Sequence, residues 1–212
     1  MERETSQRRK IRLGVLASHG GTNLQAILDR IERGELDAEV RVVISNNSKA
    51  TALERARKHG IEALHMSDAH FPSPEELDRA LVKALRERGV ELVVFAGYMK
   101  KRGPEFIRAF KNRILNIHPA LLPKFGGAGM YGIRVHEAVL AAGERESGVT
   151  VHIVDEIYDH GSNLMQKKVP VLAGDTPETL AARVLEQEHI LYSEVIQKIA
   201  SGEILLPPTS NG

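Results

Sequence analysis

The sequence predicts an α/β fold: a parallel sheet with helices packed on both faces. Short apolar runs alternate with amphipathic stretches along most of the chain. The longest uninterrupted apolar runs, such as 92–97, have the length of a buried strand, and no internal repeat or linker breaks the rhythm. The first strand is Ile11 to Ala17. It leads into the glycine-rich turn Ser18-His19-Gly20-Gly21-Thr22-Asn23 and then a helical spacing, Leu24, Ile27, Leu28 and Ile31, closed by Gly34 as a C-terminal cap. Further strands are predicted at Glu39 to Ser45, Ala63 to Met66, Glu91 to Ala96 and Arg113 to Ile117, with helices near Thr51 to His59 and Pro74 to Arg88.

From Pro119 to Gly132 the rhythm stops in PALLPKFGGAGMYG, where two prolines and four glycines among fourteen residues describe a long loop. Loops of this length are usually functional or disordered. A helix from Ile133 to Ala142, a strand from Val149 to Val154, a turn at Tyr158 to Ser162 and a strand from Leu164 to Val171 come next. The last helix spans Pro177 to Ala200, and Asp175-Thr176-Pro177-Glu178 supplies a cap, a first-turn proline and an early acid. The expected organisation is a flexible extension over 1–10, one domain over 11–202 and a tail over 203–212.

Composition narrows the function. The chain has 212 residues, 42% of them hydrophobic, enough for one substantial core. Its 29 basic and 28 acidic residues give a net charge of +1, which argues against a surface-wide nucleic-acid footprint. Without cysteine there is no disulfide, thiolate metal site or cysteine nucleophile, so chemistry falls to His, Asp, Glu, Asn, Lys or hydroxyl groups. The charged start, MERETSQRRKIR, does not read as a secretory signal, and no apolar run reaches the roughly 18 residues needed to span a bilayer. Cytoplasmic residence, with no membrane or nucleic-acid partner, is the expectation.

Three segments carry chemistry. Gly20, Gly21, Thr22 and Asn23 precede a helix, where free N–H groups and the helix dipole favour a phosphate; the spacing matches neither a dinucleotide nor a triphosphate loop. A plain βα turn capped by Thr22 is the competing reading. Asn116 and His118, two apart on a strand, face the same side, and Pro119 ends that strand with the imidazole at the carboxyl edge. The competing reading is a strand-end histidine satisfied by local hydrogen bonds. Asp159, in Tyr158-Asp159-His160-Gly161, is the chosen acid partner, with Asp155, Glu156 and Asp175 open as alternatives. Lys100-Lys101-Arg102 is either solvated surface or a contact for a polyanion.

Taken together, SHGGTNLQ at 18–25, AGYM at 96–99, NIHPALLP at 116–123, YDHG at 158–161 and Glu188-His189 resemble the phosphoribosylglycinamide formyltransferases, in order and spacing, from Ile11 to about Gly202. The resemblance implies a Rossmann-like three-layer αβα formyltransferase fold with a mostly parallel sheet of about seven strands. It implies 10-formyltetrahydrofolate as co-substrate, no metal and small-molecule partners, and it leaves a homodimer open. By the same resemblance Asn116, His118 and Asp159 are catalytic. Gly21, Thr22, Asn23, Leu185, Glu186, Gln187 and Glu188 would hold the ribonucleotide. Arg79, Met99, Lys100, Lys101, Arg102, Asn116, Asp155, Glu156, Ile157, Tyr158 and Asp159 would face the folate. Asn116 would donate to the developing oxyanion and His118 would act as a cationic acid, with Asp159 raising its pKa.

The match has departures. Ala128 stands where a lysine is expected, Ser162-Asn163 replaces a more apolar pair, and Lys100-Lys101-Arg102 is more basic than usual. Methionyl-tRNA formyltransferase is expected to be longer, and formyltetrahydrofolate hydrolase to carry an N-terminal regulatory domain. A non-catalytic nucleotide-binding module would use the Gly21 loop but has no need of Asn116, His118 and Asp159.

Overall fold

The computed structural model describes residues 9–209, so most of the expected extension over 1–10 and the end of the tail lie outside the described residues. Seven strands form one sheet: β1 (Ile11–Leu16), β2 (Ala38–Ser45), β3 (Glu62–His65), β4 (Leu92–Phe95), β5 (Ile114–His118), β6 (Glu146–Ile153) and β7 (Asn163–Pro170). Their spatial order is β3-β2-β1-β4-β5-β6-β7. The pairs from β3 to β5 are parallel, and β6 and β7 join antiparallel. This is the expected α/β architecture with a mostly parallel sheet.

The strand order reverses between β1 and β4, and such a switch point leaves a crevice beyond the carboxyl ends of the strands. The segments after β1, β4 and β5 all empty there. Among the described residues six α-helices cover the sheet: α1 (Thr22–Glu32), α2 (Thr51–Lys58), α3 (Pro74–Glu87), α4 (Pro104–Ala109), α5 (Ile133–Ala141) and α6 (Pro177–Ala200). Alternate strand residues feed two cores. Leu13 and Val15 of β1 pack with Leu24 and Ile27 of α1 and with Val184 and Tyr192 of α6. Leu16 packs with Leu77, Leu81 and Leu85 of α3 and Phe106 of α4. Each fully buried side chain of this kind contributes about 1.5–3 kcal/mol against exposure. Tyr192, fully buried, donates its hydroxyl toward the carbonyls of Phe95 and Leu115 at 2.9 and 3.0 Å, so α6 is keyed to β4 and β5 through a satisfied polar group.

Several expectations change in detail. α4 and a short 3-10 turn at Asp68–His70 were not anticipated; the first is only six residues long and the second three, too short for helical periodicity to register. β6 begins at Glu146, earlier than expected, because the polar Glu146 and Ser147 pair with β7 at the sheet edge. Thr22 does not cap α1. The N-cap is Gly21 in a left-handed conformation (φ 68°), and a Cβ there would lie 2.7 Å from the Ala52 side chain, so both backbone conformation and contact with α2 call for glycine. The last helix is capped by Thr176 in a reciprocal pair with Thr179.

Candidate active site

A cavity of about 440 Å³ opens at the switch point, lined by residues from the ends of β4, β5 and β6, from the glycine-rich loop and from α1 and α6. On β5, Asn116 and His118 both face it, as the two-residue spacing requires. Asp159, in a left-handed conformation (φ 53°) after β6, brings its Oδ2 to 3.6 Å from His118 Nδ1. The alternative carboxylates fare differently. Asp155 is engaged by His160 Nδ1 at 2.9 Å, and Asp175 is paired bidentately with Arg183, which holds its carboxyl far below the usual range. Glu156 lines the cavity but is exposed.

The surroundings of His118 overturn the expected direction of its pKa. The ring is buried, and desolvation pushes the pKa below its ordinary value; the Asp159 charge and the Phe125 carbonyl, 2.8 Å from Nε2, oppose that shift without reversing it, and His152 adds to it. Asp159 therefore favours the imidazolium, but burial wins. For Asp159 itself burial is the largest single influence and works to raise the pKa. The His152 side chain, the charge of His118 and the Gly127 N–H at 2.9 Å together outweigh it and hold the carboxyl below the usual range.

Two histidines absent from the sequence expectations belong to this cluster. His152 on β6 lies directly across from Asn116 on β5; its Nε2 is 3.1 Å from Asn116 Nδ2 and 3.5 Å from Asp159 Oδ1. Nδ1 faces the Ile153 carbonyl at 3.0 Å, so Nε2 is the ring atom shared between the Asn116 amide and the Asp159 carboxylate. The available signal was a histidine in the β-branched run 149–154. His136 on α5 is also buried, its pKa lowered first by desolvation and then by the His118 charge. The loop over 119–132 closes over the cluster: a Cβ on Gly126 would lie 3.2 Å from the Asp159 Cβ and 2.4 Å from the end of the Leu122 side chain, so a larger residue would require Leu122 to move.

At the other end of the cavity, Asn23 of α1 donates to Glu188 of α6 at 2.8 Å. Burial pushes the Glu188 carboxyl up to about 7, and the Asn23 hydrogen bond only partly restrains it. Thr22 and Gly21 sit one and two residues before Asn23 at the start of α1 without lining the cavity. Leu185, Glu186 and Gln187 precede Glu188 on α6 and do not line it either. Arg55 of α2, also not anticipated, donates to the Gly20 carbonyl at 2.8 Å and brings a positive charge beside this turn.

The segment after β4 and the segment after β6 form facing walls. Met99, Lys100, Lys101 and Arg102 line one, and Asp155 to Asp159 the other; Lys101 lies 5.3 Å from the Tyr158 ring centroid and bridges them. Met99, Ile157 and Tyr158 are large apolar side chains left exposed at this rim. The basic run is not a uniform polyanion contact: Lys100 pairs with Asp68 at 3.5 Å, and Arg102 is buried against Asp78. Arg79 is not brought to the cavity. It lies on α3 in a separate surface groove, paired with Glu105 at 3.4 Å, because its helix position points it away from the sheet edge. Among the described residues no cluster of three His, Asp or Glu side chains is arranged to hold a metal ion, and no helix is long and apolar enough to cross a membrane.

Comparison with known proteins identifies the family of the chain. Residues 11–196 match the formyl transferase family model. The chain is 46% identical over 93% of its length to the chloroplastic phosphoribosylglycinamide formyltransferase of Vigna unguiculata, spanning 63% of that longer protein. It is 40% identical over 90% of its length to the phosphoribosylglycinamide formyltransferase of Escherichia coli, covering 87% of it. Among solved structures, glycinamide ribonucleotide transformylase 1 of Symbiobacterium toebii superposes with a TM-score of 0.87 at 45% identity, over 94% of this chain and 92% of that one. The chain therefore belongs to the formyl transferase family.

Proposed function

We propose that the protein transfers the formyl group of 10-formyltetrahydrofolate to the amine of 5'-phosphoribosylglycinamide, giving formylglycinamide ribonucleotide and tetrahydrofolate in purine biosynthesis. The observation that carries this reading is the meeting of Asn116, His118 and Asp159 in one cavity that also reaches Asn23 and Glu188. In this reading the ribonucleotide phosphate lies at the start of α1, where Gly21, Thr22 and Asn23 present backbone N–H groups, and Glu188 meets the sugar. Leu185, Glu186 and Gln187 support that end of α6. The pterin lies between Met99–Arg102 and Asp155–Asp159. Cytoplasmic residence is part of the same proposal.

The chemistry then follows from the side chains. The substrate amine attacks the formyl carbon and forms a tetrahedral intermediate. An Asn116 amide N–H donates to the oxyanion, a contribution of about 3–4 kcal/mol for a well-placed donor. Protonated His118, restrained by Asp159, stabilises the same charge. As the C–N bond to folate breaks, a proton passes from the attacking nitrogen to the departing N10 by way of His118 and Asp159, so the enzyme ends in its starting state. No covalent enzyme intermediate is needed. The test is to supply 10-formyltetrahydrofolate with and without the ribonucleotide and follow the folate absorbance. Loss of the formyl donor only when the ribonucleotide is present supports transfer; equal loss without it indicates hydrolysis and overturns the proposal.

A further inference from the structure

The cavity wall that follows β4 is fastened at both ends. At its start the Met99 N–H donates to Ser18 Oγ at 2.8 Å, and that hydroxyl donates to Asn46 Oδ1 at 2.6 Å. At its end Asp78 of α3, which is buried, accepts the Gly103 N–H at 2.7 Å through Oδ2 and Arg102 Nη1 at 3.3 Å through Oδ1. Arg102 is buried as well, and its guanidinium lies 5.5 Å from the Tyr98 ring centroid. Between these anchors Lys100 and Lys101 are exposed. One carboxylate thus holds the exit of the segment into α4, the side chain of its last residue and, through that side chain, the face of Tyr98.

A buried ion pair is a poor way to stabilise a fold. Desolvation of the two charges offsets most of their attraction, and well-packed apolar residues serve about as well. Desolvation is visible here, since burial pushes the Asp78 carboxyl up despite the Arg102 charge. What the pair supplies instead is direction, because the planar guanidinium and the two carboxylate oxygens fix one geometry.

We propose that Asp78 and Arg102 are positioning residues for the folate-side wall, setting the separation between residues 99–102 and 155–159 and thereby the affinity for the folate ring. Neither touches the reacting atoms. The inference rests on the seating of the pterin between those two segments. Misplacement of a binding wall by about 1 Å is enough to cost an order of magnitude or more.

The test compares Asp78→Asn, which keeps an oxygen for the Gly103 N–H but removes the nearer countercharge and leaves only Asp68 at 4.0 Å, with Arg102→Met, Arg102→Lys and the double variant Asp78→Asn/Arg102→Met. Each enzyme is measured for both KM values, for kcat at saturation and for melting temperature. Asp78→Asn and Arg102→Met should each raise the folate KM about tenfold and leave the ribonucleotide KM and kcat within about twofold. The double variant should be no worse than the more severe single, because both remove one shared interaction, and Arg102→Lys should recover part of the loss. A merely structural pair would lower the melting temperature and damage both KM values and kcat together, which overturns the proposal, as does an unchanged folate KM. Ile157→Asp on the opposite wall separates the two levels. If it raises the folate KM while the Asp78 and Arg102 variants do not, the positioning role fails alone; if none of them does, the seating of the pterin fails and the role with it.

Discussion

Replacing Glu188 by glutamine should make the protein more stable at alkaline pH while leaving it unchanged in acid. The carboxyl sits between α6 and Asn23 with its pKa raised from an ordinary 4.5 to about 7. Each pH unit of difference between folded and unfolded pKa is worth about 1.4 kcal/mol. A raised folded pKa means that the native state binds the extra proton, so its contribution is complete below pH 4.5 and is lost as pH rises through 7. The loss amounts to about 3 kcal/mol. Glutamine keeps an oxygen for the Asn23 amide but cannot ionise. The variant should therefore match the parent near pH 4.5 and exceed it by about 3 kcal/mol above pH 8, or roughly 6–12 °C in melting temperature for a chain of this size. Thermal melts across pH 4.5 to 8.5 measure the gap directly. A gap that stays constant with pH, or one that favours the parent at pH 8, would show that the native carboxyl is not held in its protonated form.

Two further substitutions probe the rest of the cavity. Asp159→Asn removes the charge that opposes desolvation of His118, so the His118 pKa should drop further and turnover should fall with it; an NMR titration with an unmoved midpoint would remove Asp159 from the acid pair. Asn23→Ala deletes the donor to Glu188 at the α1 end of the cavity and should raise the ribonucleotide KM much more than the folate KM. Equal changes in both would move the phosphate away from that helix start.

The fold was legible because its signals are local. Buried strands such as Leu92–Phe95 are uninterrupted apolar runs, and α6 carries its start in Thr176-Pro177, so both are visible to periodicity and capping rules. What escaped was short or depended on neighbours. Six residues of α4 show no period, and Gly21 in place of Thr22 as the cap follows from the approach of Ala52, distant in sequence, whose contact no local pattern encodes.

The candidate site divides in the same way. Asn116 and His118 were readable because a strand places alternate residues on one face, whereas Asp159 could be chosen over Asp155, Glu156 and Asp175 only by resemblance. Geometry supplies a physical reason for that choice: the left-handed turn at Asp159 aims its two oxygens at two different histidines, while Asp155 and Asp175 are already committed to His160 and Arg183. His152 went unread because its partner across the sheet, Asn116, is set by antiparallel register, and register follows from strand order rather than from either segment alone. The electrostatic expectation failed for a related reason. A carboxylate beside an imidazole raises its pKa, but the sum also includes burial of the ring beneath the loop that carries Phe125 and Gly127. In this conformation the Phe125 carbonyl occupies His118 Nε2 and the Gly127 N–H occupies Asp159 Oδ2, so the loop that desolvates the pair also engages it. Movement of that loop would free the imidazole for substrate and rehydrate it: rehydration favours the cationic form invoked in the proposed transfer, while loss of the Phe125 carbonyl works against it until a substrate oxygen takes its place.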